Sequence, residues 1–95
     1  MERILAAPTL TASGSVGGPN PPSSSQVYHG YIVTTVTATA AINIRKGTVS
    51  GQIIDIIPSG TAAGAKFSYA HGPQCEGGIF VDFNGASGGV VILYE

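Results

Sequence analysis

The side chains able to do chemistry are few. In 95 residues there are one cysteine, two histidines, five acidic and four basic side chains. The stretch "HGPQCE" sets His71 four residues before Cys75, with His29 and Asp82 elsewhere. A zinc site needs four ligands with paired short spacings, so this is half a site, and the plainer reading is a loop carrying an inert thiol. Cys75 with His29 or His71 would make a nucleophile only if a base or helix N-terminus lowered the thiol pKa, and no spacing secures that. "GTAAGAK", Gly60 to Lys66, is only superficially like a phosphate loop: the G-x-x-x-x-G-K-[ST] spacing is absent, and Phe67 stands where Ser or Thr is required. No spacing pairs two carboxylates for glycoside chemistry. Asp55 and Asp82 are each expected on the polar side of a strand. The expectation is a protein with no catalytic residues, no metal and no cofactor.

The elements that would position such groups are strands. In "YHGYIVTTVTATAAINIR" the residues Ile32, Val36, Ala38, Ala40, Ile42 and Ile44 alternate with Val33, Thr35, Thr37, Thr39, Asn43 and Arg45. A period of two marks a half-buried strand, and the length calls for two strands, about 28–37 and 40–45. Lys46–Gly47 reads as a tight turn. "GQIIDIIPSG" is a strand in which Ile53 and Ile57 interleave with Asp55, and Pro58 ends its pairing. "KFSYAH" and "GIFVDF" follow, with Phe67 and Phe83 at core positions and Phe80 off-phase, facing outward. "NGASGG" reads as a hairpin connection, and "VVILYE" closes the set. Six or seven short strands with regular turns and no helix predict an all-β fold, a small antiparallel β-sandwich or jelly-roll-like barrel.

Ahead of the strands lies a different texture. Of the sixteen residues in "TASGSVGGPNPPSSSQ", Thr11 to Gln26, eleven are Gly, Pro or Ser. Pro19, Pro21 and Pro22 favour extended backbone, and the segment lacks apolar residues to offset its ordering entropy. It is expected to be an extended N-terminal arm, residues 1–26, with Ile4, Leu5 and Leu10 as an apolar tip, outside a sandwich body of residues 27–95. A body that small buries about 60% of its unfolded surface, and one cysteine allows no intrachain disulfide. Charged residues are only 9% of the chain and the net charge is −1, whereas ordinary soluble domains carry roughly 25%. Self-association or a partner is the expected support. Four basic residues (Arg3, Arg45, Lys46 and Lys66) are too few to neutralise many phosphates, so nucleic acid is not an expected partner. No apolar run approaches the roughly 20 residues that span a bilayer, so neither is a membrane. The apolar piece Ile4 to Ala7 is too short for a signal-peptide core, and synthesis in a cytoplasm is expected.

From Ala40 to Glu95 the pattern resembles small virion proteins of tailed phages, of the capsid decoration or cement type. The shared pieces are "INIRKGT", "IPSGTAAG", "CEGGIFVDF", a glycine-rich turn and the final "VVILYE". The resemblance implies a β-sandwich that binds the major capsid protein on the outer capsid surface, as a homo-oligomer with a trimer favoured, and an N-terminal segment that clamps neighbouring subunits. Ile4, Leu5, Leu10, Pro19, Pro21 and Pro22 are then the expected contact residues. Two alternatives stand beside it. One is a host-facing carbohydrate-binding knob of a fibre or tail, which exposed Tyr28, Tyr31 and Phe80 would favour. The other is an enzyme using Cys75 or His71.

Overall fold

The computed structural model describes residues 4–16, 26–70 and 72–95. Among the described residues nine strands follow one another: β1 (Leu5–Ala6), β2 (Gly14–Ser15), β3 (Gln26–Ala38), β4 (Ile42–Lys46), β5 (Ile53–Ile57), β6 (Lys66–Ser68), β7 (Gln74–Cys75), β8 (Ile79–Asp82) and β9 (Ser87–Tyr94). The fold is all-β, as expected, and every pairing is antiparallel. One sheet runs β1-β9-β3-β6, with β7 also on β3; the other runs β2-β8-β4-β5. Between them lie Ile42, Ile44, Ile57, Ile79, Val81, Phe83, Val90 and Ile92, with Tyr28, Tyr31 and Val33 from β3. Each such aliphatic side chain, fully buried, contributes about 1.5–3 kcal/mol.

The two strands expected in the Thr/Ala-rich run are present as β3 and β4, yet only one has the expected phase. Ile42 and Ile44 are buried, but on β3 the core side chains are Tyr28, then Tyr31 and Val33, then Thr37. Ile32 is half-buried, and Val36 and Ala38 are exposed. The register shift against β9 at Tyr28/Gly30 re-phases the strand between Tyr28 and Tyr31, because an extra residue on one side of a ladder turns the following side chains over; from Tyr31 to Thr37 the buried residues then keep one parity. Thr39, with φ 81°, then carries the chain from the first sheet to the second. Thr37 is buried and satisfied: its Oγ1 donates to the Pro58 carbonyl at 2.8 Å and accepts from the Thr61 N–H at 2.9 Å.

Asn84 and Gly85 both have positive φ, 51° and 83°, and make the tight turn that the sequence suggests. It is not a hairpin, however. β8 lies between β2 and β4, while β9 lies between β1 and β3, so the turn passes the chain between sheets.

The expected N-terminal arm also meets a correction. Residues 4–16 run along one side of the sandwich instead of standing outside it. Leu5 and Ala6 pair with Tyr94 and Leu93. Leu10 bridges to Val90. Gly14 and Ser15 pair with Val81 and Phe80. The cause is apolar: Ala7 and Val16 are buried and Leu10 packs on the core. The strand set also begins at Gln26, within β3, so the boundary expected at 26/27 falls inside an element.

Candidate functional site: the edge of β5 and β6

The side of the sandwich opposite residues 4–16 is closed by side chains. β5 is the last strand of one sheet and β6 the last of the other. Asp55 sits two residues before the buried Ile57, and the pleat therefore turns it the same way, toward the gap between the sheets. Its Oδ2 accepts from the Tyr28 hydroxyl at 2.7 Å and from the Tyr69 hydroxyl at 3.1 Å. Its Oδ1 accepts from the Ile56 N–H at 2.9 Å. The expectation that Asp55 occupies the polar side of its strand is thus overturned: one carboxylate joins β5 to β3 and to the chain after β6.

The phenols respond to that environment. Burial first, then the neighbouring Asp55 carboxylate, pushes the Tyr28 hydroxyl well above the usual tyrosine range. Tyr31 and Tyr69 are raised in the same order of causes. All three stay protonated in ordinary buffers and act as donors, not as bases. Tyr28 stacks at 6.0 Å on Tyr69 and Tyr31 at 5.3 Å on Phe67, both tilted. The tyrosines of β3 thereby form a buried layer behind two exposed rings.

Beside this cluster lies buried His29. The Tyr69 carbonyl only accepts, so Nδ1 carries a hydrogen and donates to it at 2.8 Å. Nε2 stands 3.2 Å from Glu95 Oε1. The cluster ties β3 to the chain after β6 and to residue 95, and its polar atoms are used internally. What it offers outward is apolar. Phe67 is 52% exposed and Ile56 50%, with Tyr69 and Ile53 also exposed. Phe67, expected in the core, is outside because β6 is a three-residue edge strand whose exposure is high throughout. Phe83 is in the core, as expected.

The other expected residues are placed as follows. Ile4 and Leu5 are exposed at the opposite side, by β1, and Leu10 is partly buried against the core. Pro19, Pro21 and Pro22 lie outside the described residues, as does His71. Tyr28 and Tyr31 are buried and Phe80 is half-buried, so the aromatics on which a carbohydrate groove was expected do not form an exposed set. Cys75 is buried at β7; burial raises its thiol pKa, with Lys46 partly offsetting. Among the described residues no three of His, Cys, Asp and Glu come together as a metal site. Sequence reasoning passed over Asp55 and Tyr69. The parity of "IIDII" held the signal for Asp55, since residues 55 and 57 share one side of a strand.

No family model matches the chain, and neither a curated protein nor a solved structure does.

Proposed function

We propose that the chain is a structural virion protein of a tailed phage that decorates the capsid, binding the major capsid protein through the β5/β6 edge. The observation that carries this reading is the exposed apolar set Ile53, Ile56, Phe67 and Tyr69 on a chain with only 9% charged residues. Large apolar side chains exposed on and beside two edge strands suit a contact, and low charge suits a protein held in an assembly. The buried tyrosine layer and Asp55 hold Phe67 and Tyr69 in place, as an interface needs. The resemblance of residues 40–95 to decoration proteins names the partner. The working form is an oligomer of this chain, a trimer by that resemblance, on the outer capsid surface. The action is mechanical: adjacent capsid subunits are joined without chemistry.

The test uses purified capsids of the encoding phage, stripped of this chain, and sedimentation with the purified protein. Rebinding is expected, and Ile56→Asp should abolish it with little change in Tm, because that side chain lies at the surface. Failure of the unaltered protein to rebind, or its absence from purified virions, overturns the reading.

A further inference from the structure

The turn that passes the chain from β8 to β9 is also where the protein is open to change by its own backbone. Asparagine is among the thermolabile residues. Its carboxamide carbon is attacked by the main-chain nitrogen that follows, provided that nitrogen has a hydrogen to lose and room to approach. The sequence has three asparagines, each followed by a different kind of residue: Asn20 by Pro21, Asn43 by Ile44 and Asn84 by Gly85. Pro21 has no N–H to lose. Asn43 lies within β4, paired with β5 on one side and β8 on the other, and the branched Ile44 side chain crowds the approach. Gly85 has an N–H and no Cβ.

The fold leaves the two reacting groups unoccupied. Asn84 and Gly85 are both exposed. Among the described residues neither the Asn84 carboxamide nor the Gly85 N–H has a hydrogen-bond partner. Little holds the turn. The Ala86 N–H donates to the Phe83 carbonyl at 2.7 Å, and the Asn84 N–H donates to Asp82 Oδ1 at 3.0 Å. Asn84 also stands at φ 51°, a left-handed conformation that an L-residue leaves readily. Turning the Gly85 nitrogen toward the side chain breaks the Ala86-to-Phe83 bond and leaves both sheets paired.

We infer that Asn84 is the site of spontaneous deamidation in this chain, and that the reaction opens the turn between β8 and β9. Hydroxide takes the Gly85 amide proton. The nitrogen bonds to Asn84 Cγ, the Cγ–Nδ2 bond breaks, and ammonia leaves with a proton from water, closing a succinimide ring. Water then adds to one of the two ring carbonyls. Addition at Cγ gives aspartate; addition at the main-chain carbonyl carbon gives isoaspartate, whose main chain runs through the former side chain. One water enters and one ammonia leaves, with nothing oxidised or reduced. Either product places a carboxylate two residues from Asp82, whose own charge is matched by Arg45 at 3.1 Å. Isoaspartate also lengthens the turn by one carbon, so that Ala86 no longer meets Phe83. This reactivity rests on the fold alone, whatever the chain binds.

The test is ageing of the purified full-length protein in mildly alkaline buffer, below its melting temperature. A synthetic peptide of residues 80–88 is kept beside it until the peptide is fully converted. Digestion and mass spectrometry should then find part of the segment holding Asn84 one mass unit heavier, and an isoaspartyl methyltransferase should label it. The segments holding Asn20 and Asn43 should be unchanged. The protein is expected to lag the peptide, because its turn must open first. Wholly intact Asn84 at that time, or conversion led by Asn20 or Asn43, overturns the proposal. Hydrogen exchange on the aged protein reads the effect on the turn. Ala86 should lose its protection in the isoaspartyl form, and an Ala86 N–H as protected as in fresh protein overturns the opening.

Discussion

The two open sides of this sandwich are sealed by different means. Along β8 and β9 the seal is a separate length of main chain, residues 4–16, held by backbone hydrogen bonds and by Ala7, Leu10 and Val16. Along β5 and β6 it is a set of side chains already carried by the sheets, with Asp55 bonded to Tyr28 and Tyr69 and Thr37 bonded to Pro58 and Thr61. A main-chain seal is separable, because its bonds come from one length of chain. A side-chain seal is not, since its members are fixed to the strands they join. The first seal can therefore be removed whole by truncation, whereas the second can be broken only by substitutions within the strands.

Removing the first seal should have the largest effect. Deleting residues 1–16 uncovers the β8 and β9 edges and takes away the burial of Val16, Ala7 and Leu10. The loss is expected to be about 4 kcal/mol or more at 25 cal/mol per Å², measured by urea unfolding and accompanied by aggregation through the bared edges. A truncated chain that unfolds at the original urea midpoint would show that the segment seals nothing.

Gly30→Ala attacks the other side at its backbone. Gly30 has φ 121°, and a Cβ there would lie 1.9 Å from the Phe67 carbonyl oxygen. β6 must then leave β3, at a cost of about 3 kcal/mol. Hydrogen exchange should show loss of protection at Val33 and Tyr69, whose N–H groups bond to Ala65 and His29, while Leu10 and Val90 keep theirs.

Asp55→Ala leaves the buried Tyr28 hydroxyl without its acceptor, a loss of about 2 kcal/mol. The tyrosines add a pH signature. Their folded pKa values lie above the unfolded value of 10.0, so the folded state retains protons that the unfolded chain releases. Their contribution is intact below pH 10 and is lost as pH rises beyond it, by about 1.4 kcal/mol per pH unit for Tyr28 alone. Tyr28→Phe should flatten that alkaline fall in thermal melts taken from pH 9 to 12, and an unchanged slope would place the titration elsewhere.

The smallest effect is a gain. Thr39 holds a positive φ of 81°, a costly conformation for a β-branched residue. Thr39→Gly should raise stability by about 1 kcal/mol and Tm by a few degrees, with both sides of the sandwich unaffected.

Much of the fold was legible along the chain, and the exceptions have specific causes. Ile42, Ile44, Ile79, Val81 and Phe83 alternate and are buried as alternation requires. On β3 alternation set Ile32, Val36 and Ala38 apart from Val33 and Thr37, and it is the second set that is buried. Which side of a strand turns inward depends on the sheet that packs against it, which the local pattern does not contain. Phe67 looked like core because it is large and apolar, but β6 is the edge strand of its sheet. Strand order, not residue type, put it in solvent.

By itself the sequence determined the longer strands, their turn residues and the small, weakly charged character of the chain. Those follow from local preferences: β-branched residues in alternation, glycine where φ is positive, proline where pairing ends. The tertiary structure alone decided that residues 4–16 belong to the sandwich, because their bonds go to residues 79–94. It alone brought Asp55 to Tyr28 across 27 positions and to Tyr69 across 14. Local preference acts over a few residues, whereas these contacts depend on which strand edges two closed sheets leave open.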